Sequence, residues 1–256
     1  MNTIGTIVGL QGAVNCLEQI CANQEVYRRF NVLPHLLVAL DAGDGQSTFT
    51  RFFARNAAQH QLRHFGGMDT CLEFTLTGEM TQLQSVFQQI RDCAVYTNEY
   101  EGIIALDISA LANCINEAQI PYFLEQVKRC AAHATMIFYI PRTPSRNLNL
   151  LVSKLRSCVD ELVEVQTEPY TPGELAQIAA LELEKRGIHI QQPQQFRDDL
   201  ASLITARQVK TATQSCRMIQ SVLKWADFSG FTPMVNPEKL RQAFAAEFNH
   251  IGRELK

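Results

Sequence analysis

The sequence lacks the features that identify metal-binding, secreted and membrane-spanning proteins. None of its eight cysteines forms a CxxC pair, and no group of cysteines and histidines has the spacing of zinc ligands, so we expect no metal site. Residues 1–20 contain no basic segment followed by an apolar run, and no stretch approaches the roughly 18 apolar residues of a membrane helix. These absences predict a cytoplasmic protein without a signal peptide or membrane contact, in which the cysteines are small buried side chains.

The chain also has no excess of positive charge. Its formal net charge is −3, and charged residues make up 19% of the 256 positions, against 46% hydrophobic residues. This balance is typical of a globular protein with one large domain or two unequal ones. It gives no sequence-wide attraction to nucleic acid, so we expect no nucleic-acid partner.

Apolar runs alternate with helical patterns five times in the first part of the chain. Three of the runs are continuously apolar and two alternate apolar with polar residues; they occupy residues 36–40, 102–108 and 134–141, and residues 71–78 and 160–166. Continuous apolar runs of this length are typical of parallel strands that are buried on both faces. The alternation predicts an α/β protein with three layers, in which a parallel five-stranded sheet lies between helices.

Beyond the last of these runs the sequence changes to helical patterns only. Thr171 is a good helix cap, with Pro172 at the first helical position and Glu174 at the third. No strand is predicted from Pro172 to the end. We therefore place a boundary near residue 168, with an α/β nucleotide-binding domain at 1–168 and a helical lid subdomain at 169–256.

The segment between the first apolar run and the next helix has the sequence LDAGDGQST, from Leu40 to Thr48. A phosphate-binding loop has the pattern GxxxxGK[ST], in which backbone N–H groups surround the phosphates, the lysine contacts the β- and γ-phosphates, and the hydroxyl binds Mg²⁺. This segment keeps two glycines and two hydroxyls, but it has glutamine in place of the lysine and an extra aspartate. The candidate loop residues are Gly43, Asp44, Gly45, Gln46, Ser47 and Thr48. They form either a degenerate phosphate loop or a turn that joins strand to helix.

The order of these segments over residues 5–225 resembles the AAA+ ATPase module of the P-loop NTPase superfamily. Residues 36–48 are similar to its Walker A strand and loop, residues 102–108 to its Walker B strand, and residues 134–143 to its sensor-1 strand. Residues 154–175 are similar to the passage that carries its arginine finger. The resemblance implies an α/β nucleotide domain followed by a helical lid, and it depends on the order and gaps of the segments together.

Most of the active-site positions that the resemblance implies depart from the family pattern. Asp107 matches the Walker B aspartate on the Mg²⁺ side, although an aspartate there equally suits a cap of the next turn. The catalytic glutamate corresponds to Ile108, and the second arginine of the finger passage corresponds to Cys158. The sensor-2 arginine falls near Gln214 or Arg217.

The resemblance thus implies a degenerate AAA+ protein, to which we assign no catalytic residue. We expect a non-hydrolysing interaction or assembly subunit, whose partner is an intact AAA+ subunit or another copy of the chain. Weakly held ATP or ADP is the expected cofactor, with Mg²⁺ only when nucleotide binds. Arg142 and Arg146 either contact a neighbouring subunit or are solvated, and Arg156, which matches the first arginine of the finger passage, is a third candidate for a subunit contact.

Two other functions are compatible with the sequence. The chain is alternatively a divergent but active AAA+ ATPase that remodels a protein partner, with one of these arginines replacing the missing positive charge. A clamp-loader-like role on DNA is a third hypothesis, against which the acidic balance argues.

Overall fold

The computed structural model describes residues 7–30, 34–60, 71–93, 102–111, 119–227, 230 and 232–254. The chain separates into two compact units. The first combines Met1–Ala42 with Gln46–Thr167, and the second combines Gly43–Gly45 with Glu168–Lys256. The tip of the glycine loop is therefore part of the second unit, although its flanking residues belong to the first.

The first unit alternates helices with strands. Its described elements are α1 (Gln11–Ala22), α2 (Gln24–Phe30), β1 (His35–Ala39), α3 (Gln46–Gln59), β2 (Cys71–Thr75), α4 (Met80–Asp92), β3 (Ile103–Asp107), α5 (Gln119–Ala131), β4 (Thr135–Ile140), α6 (Arg146–Arg156) and β5 (Leu162–Gln166).

The five strands form one parallel sheet with the order β2-β3-β4-β1-β5. Every residue of β1, β3 and β4 is buried, as their apolar runs predict, because these three strands are central and covered on both faces. The edge strands β2 and β5 are partly exposed, in agreement with their alternating patterns. The predicted α/β class with a five-stranded parallel sheet is confirmed.

Successive strand residues face opposite sides of the sheet, and each side has its own helices. One face packs against α4, α5 and α6 in a continuous apolar core that includes Leu37, Leu106 and Phe138 from the strands. On the other face, the ring of Phe49 from α3 meets that of Tyr139 from β4 edge-on, with the centroids 6.4 Å apart.

The second unit is mainly helical. Its described elements are α7 (Pro172–Lys185), β6 (His189–Ile190), α8 (Pro193–Ala206), α9 (Ala212–Ile219), a 3₁₀ helix (Gln220–Trp225), β7 (Met234–Val235), α10 (Pro237–Ala243) and α11 (Ala245–Glu254). The predicted start of α7 is confirmed: Thr171 Oγ1 accepts from the Glu174 N–H at 3.3 Å, and the Thr171 N–H donates to the Glu174 carboxylate at 2.7 Å.

The prediction of no strand in this region is wrong, because β6 and β7 pair in parallel. The His189 N–H donates to the Pro233 carbonyl and the Gln191 N–H donates to the Val235 carbonyl, both at 2.8 Å. Strands of two residues are too short to show a period-two pattern, so backbone pairing alone defines them.

The cysteines only partly follow the prediction that they are buried. Burial raises the pKa of Cys16 and of Cys21 to about 11, so both thiols are neutral apolar side chains. Cys93 is exposed, however, and Cys114 lies outside the described residues. Over the described ranges, the cysteines form no disulfide and no cluster of three metal-ligating side chains occurs.

Helices long and apolar enough to cross a bilayer are absent from the described part of the chain.

Candidate nucleotide-binding loop

The candidate loop leaves the carboxyl end of β1 and leads into α3, which begins at Gln46. Gly43 and Gly45 have φ angles of 89° and 95°, a left-handed conformation that glycine adopts without steric cost. Ser47 and Thr48 are exposed in the first turn of α3. The glycines are therefore required by the turn itself, whether or not the loop binds phosphate.

Gln46 folds its side chain back onto the loop. Its amide nitrogen donates to the Leu40 carbonyl at 3.2 Å, a bond within the first unit. In a phosphate loop the residue at this position supplies a cation to the phosphates. Here the position supplies a neutral amide whose hydrogen bond closes the loop on itself.

Asp44 is only 2% exposed and is held within the second unit. Its Oδ1 accepts from the Ala212 N–H, at the first position of α9, at 3.3 Å. Its carbonyl accepts from the Tyr170 hydroxyl at 2.8 Å. A carboxylate at a helix N-terminus is stabilised by the free N–H groups and by the helix dipole, which accounts for the burial of this charge.

Gly43 is bound to the same turn of α9. Its carbonyl accepts from the Thr213 N–H at 2.9 Å and from the Thr213 hydroxyl at 3.0 Å. A Cβ at Gly43 would lie 3.3 Å from the Thr213 hydroxyl oxygen and 3.5 Å from that of Thr211. Threonine hydroxyls thus fill the space on this side of the glycine.

The two candidates for the sensor-2 position differ in their contacts. Gln214 forms a reciprocal cap with Thr211: its N–H donates to the Thr211 hydroxyl at 3.2 Å, and its side-chain oxygen accepts from the Thr211 N–H at 3.3 Å. Arg217 is exposed one turn further along α9. The side chain of Gln214 is therefore used to begin the helix.

Tyr139, in the strand that resembles sensor 1, is buried beneath the first turns of α3. Its hydroxyl donates to the Gln46 carbonyl at 2.8 Å and lies 2.7 Å from Thr50 Oγ1. Burial raises the pKa of Tyr139 far above its usual value, so the hydroxyl stays protonated and remains a donor. The ring and hydroxyl fill the space between β4 and α3.

We expect Tyr139→Phe to lower the free energy of unfolding by about 1 kcal/mol, because one buried hydrogen bond is lost. The loss stays small because Thr50 Oγ1 also donates to the Gln46 carbonyl, at 3.2 Å. Urea denaturation measures the change, with Tyr122→Phe as the control. The Tyr122 ring packs edge-on against Phe87 and is only partly buried, so its loss of a hydroxyl should stay within about 0.5 kcal/mol. Equal effects of the two variants would contradict a specific role for the Tyr139 hydroxyl.

Asp107 ends β3 beside Tyr139, its partner in the register of the neighbouring strand. It is 8% exposed, and its Oδ1 accepts from the Ser109 N–H at 2.9 Å. This hydrogen bond caps the following turn, which is one of the two roles that the sequence left open for Asp107. Ile108 is completely buried in the apolar core, with its side chain among hydrocarbon groups.

The three candidate arginines have different surroundings within the first unit. Arg142 is 11% exposed; its guanidinium contacts Asp41 at 2.8 Å, and its Nε donates to the Thr167 carbonyl at 3.0 Å. Arg156 forms an ion pair with Glu164 at 2.6 Å, in which both side chains are about half exposed. Arg146 is exposed at the first position of α6.

Sequence reasoning did not find several partners of the loop. Thr50, Tyr170 and Thr213 contact loop residues, although Thr50 and Thr213 belong to no matched segment and Tyr170 lies in the 154–175 passage without a predicted role. Only for Thr50 did the local sequence give a hint: the helical spacing of α3 places it on the same face as the buried apolar residues. The others are brought to the loop by tertiary structure.

Neither a protein-family model nor a curated protein sequence matches this chain. Solved structures are similar to it: RuvB of Thermotoga maritima, a Holliday junction branch migration motor, gives a TM-score of 0.60 at 15% identity over 93% of this chain and 70% of RuvB. A point mutant of the same RuvB gives 0.60 at 14% identity, over 94% of this chain and 71% of the mutant. PCH-2 of C. elegans gives 0.58 at 9% identity, over 93% of this chain and 69% of PCH-2.

RuvB and PCH-2 are AAA+ ATPases. Identities this low establish a shared fold and leave the activity open. With its five-stranded parallel sheet, flanking helices and helical C-terminal region, the chain has the fold of an AAA+ P-loop module.

Proposed function

We propose that this chain is a non-hydrolysing AAA+-type subunit that works through protein contacts. One observation carries the proposal: the glycine loop has Gln46 in place of the lysine, and the amide of Gln46 is bound to the Leu40 carbonyl. Phosphoryl transfer depends on positive charge beside the γ-phosphate, and a neutral amide that already has a partner does not supply it.

The charges around the loop also fit a Mg²⁺–triphosphate poorly. Asp44 brings a carboxylate into the loop, and Asp41 brings a second one near its start. The guanidinium of Arg142 is bound to Asp41 and to Thr167. An approaching polyphosphate therefore finds no lysine at position 46 and two carboxylates nearby in the sequence, and this weakens its binding.

The groups that activate water and stabilise the transferring phosphoryl are missing at the corresponding positions. Ile108 lies in the apolar core where the resemblance expects a glutamate, and a hydrocarbon side chain cannot polarise water. Cys158 occupies the second arginine position of the finger passage, and burial raises its pKa, so its thiol is neutral. Because such groups act as a unit, their combined replacement favours loss of turnover over tuning of its rate.

A weakly bound ATP or ADP remains compatible with this loop. Gly43 and Gly45 give the turn between β1 and α3 its left-handed residues, and Ser47 and Thr48 place two exposed hydroxyls at the start of α3. Backbone N–H groups at a helix N-terminus attract anions without a lysine, although less strongly. Mg²⁺ would enter only with the nucleotide.

The protein partner is an intact AAA+ subunit or a second copy of the chain, and helix α6 is the surface that we assign to it. Arg146 is exposed at its start, and Leu150, one turn on, is 58% exposed. An exposed leucine beside an arginine suits a contact in which apolar burial and a charged pair occur together.

A phosphate-release assay at saturating ATP and Mg²⁺ tests the proposal. We expect the wild-type rate to equal that of the Asp107→Ala variant, because neither protein hydrolyses ATP. Turnover that is present in the wild type and disappears in Asp107→Ala would overturn the proposal in favour of a divergent ATPase. Calorimetry with ATP and with ADP on the same samples reports whether nucleotide binds without being hydrolysed.

A further inference from the structure

The first turn of α9 has its N–H groups satisfied from within the second unit. The first three N–H groups of a helix have no partner inside the helix and need outside acceptors. In α9, which has eight residues, the Ala212 N–H donates to Asp44 Oδ1 and the Thr213 N–H donates to the Gly43 carbonyl. The N–H of the third residue donates to the N-cap hydroxyl of Thr211.

The group that accepts from the Ala212 N–H is the carboxylate of Asp44, an anion that belongs to the protein itself. Its carboxylate is 2% exposed, and its own backbone carbonyl is held by the Tyr170 hydroxyl. A buried carboxylate is tolerated only where hydrogen bonds and favourable dipoles surround it. The N-terminus of α9 provides both, in the way that such a terminus stabilises a bound phosphate.

We propose that Asp44 is an internal anion that latches Gly43–Gly45 onto the N-terminus of α9, so that this segment is held in place without any ligand. The carboxylate supplies the negative charge at the helix terminus, and the Gly43 carbonyl adds two further bonds from Thr213. Nucleotide is then not needed to order this loop. The inference concerns loop closure and does not depend on whether the protein hydrolyses ATP.

Hydrogen exchange of the Ala212 and Thr213 amides in the full chain, without ligand, tests the latch. We expect Asp44→Ala to speed exchange at both amides by about 10-fold or more, the ratio that corresponds to one lost buried hydrogen bond. Asp44→Asn keeps an oxygen acceptor and loses the charge, so exchange of these amides in this variant should be faster than in the wild type and slower than in Asp44→Ala. It also keeps the test informative if Asp44→Ala does not fold.

Asn236→Ala is the matched control, because it removes the cap of another helix in the same unit. The Asn236 side chain accepts from the Lys239 N–H at 2.9 Å, at the start of α10. This variant should speed exchange at Lys239 and leave Ala212 and Thr213 unchanged. Unchanged exchange at these two amides in both Asp44 variants, or equal acceleration by Asn236→Ala, would overturn the latch.

Saturating ATP and Mg²⁺ provide a second readout on the wild-type protein. With the latch already closed, we expect the exchange rates of Gly43–Gly45 and of Ala212 and Thr213 to stay within about 2-fold of their values without nucleotide. A 10-fold gain in protection would show that the loop is open until nucleotide binds. ATP turnover with unchanged protection would contradict the proposed function and leave the latch intact.

Discussion

Replacing Gly12 by alanine is expected to lower the free energy of unfolding of the first unit by about 1–3 kcal/mol, the usual cost of inserting a carbon into a packed site. A Cβ at Gly12, in the first turn of α1, would lie 2.2 Å from the carbonyl oxygen of Gln166 at the end of β5. Both groups are backbone, so no change of rotamer relieves the clash and the helix must move away from the strand. Alanine recovers up to about 1 kcal/mol through its higher helix propensity, which is not enough to offset the clash.

Thermal unfolding followed by circular dichroism measures this effect. We expect a fall in the midpoint of about 2–4 °C for each kcal/mol lost. Gly173→Ala is the matched control, because a Cβ at that position of α7 has no neighbour within 4 Å. That variant should be neutral or more stable by up to about 1 kcal/mol. A Gly12→Ala protein as stable as the wild type would mean that α1 and β5 are not in this close contact.

Arg142→Ala is expected to destabilise the protein by about 1–3 kcal/mol, whereas Arg146→Ala should change stability by less than about 0.5 kcal/mol. Arg142 binds the Asp41 carboxylate and two acceptors of Thr167, so its removal leaves these groups without their cation. A fully buried pair would cost more to break, but Asp41 is 43% exposed and water screens its charge.

Arg142→Lys separates geometry from charge. A lysine keeps the positive charge but cannot contact Asp41 and Thr167 with two separate groups, so we expect only partial recovery of stability. Urea denaturation measures stability, and sedimentation velocity measures self-association on the same samples. We expect replacement of Arg142 to lower stability without changing self-association, and any change in self-association to be confined to Arg146→Ala. If replacement of Arg142 changes self-association and leaves stability unaltered, Arg142 acts at a subunit contact instead.

Much of the fold could be predicted from local sequence because its cause is local. The continuous apolar runs of β1, β3 and β4 report burial on both faces, and the alternating runs of β2 and β5 report the half-exposed edges. The start of α7 was predicted from three residues, since a capping box is complete within one turn. By contrast, β6 and β7 escaped prediction because two residues carry no periodicity.

The candidate site was less accessible to sequence reasoning. The pattern from Gly43 to Thr48 identified the candidate loop, and finding Gln46 where a phosphate-binding loop has lysine needed no structure. The partners of the loop are distant in the chain: the Asp44 side chain and Ala212 are 168 residues apart, and Gly43 and Thr213 are 170 apart. The hydrophobic periodicity of the sequence does not reveal contacts over such separations. It reports only local secondary structure, and the start of a helix has the same sequence pattern whether or not a distant loop binds to it.

The sequence by itself determined the order of strands and helices in the first unit, the position of the glycine loop and the neutral residue at position 46, because these depend on the identity and spacing of neighbouring residues. Only the tertiary structure decided what the loop residues contact: the Leu40 carbonyl for Gln46, the N-terminus of α9 for Asp44, and Asp41 with Thr167 for Arg142. The physical reason is that a polar side chain takes whichever partner folding brings within about 3 Å, and hydrogen bonds are too short-ranged for the linear sequence to specify that partner.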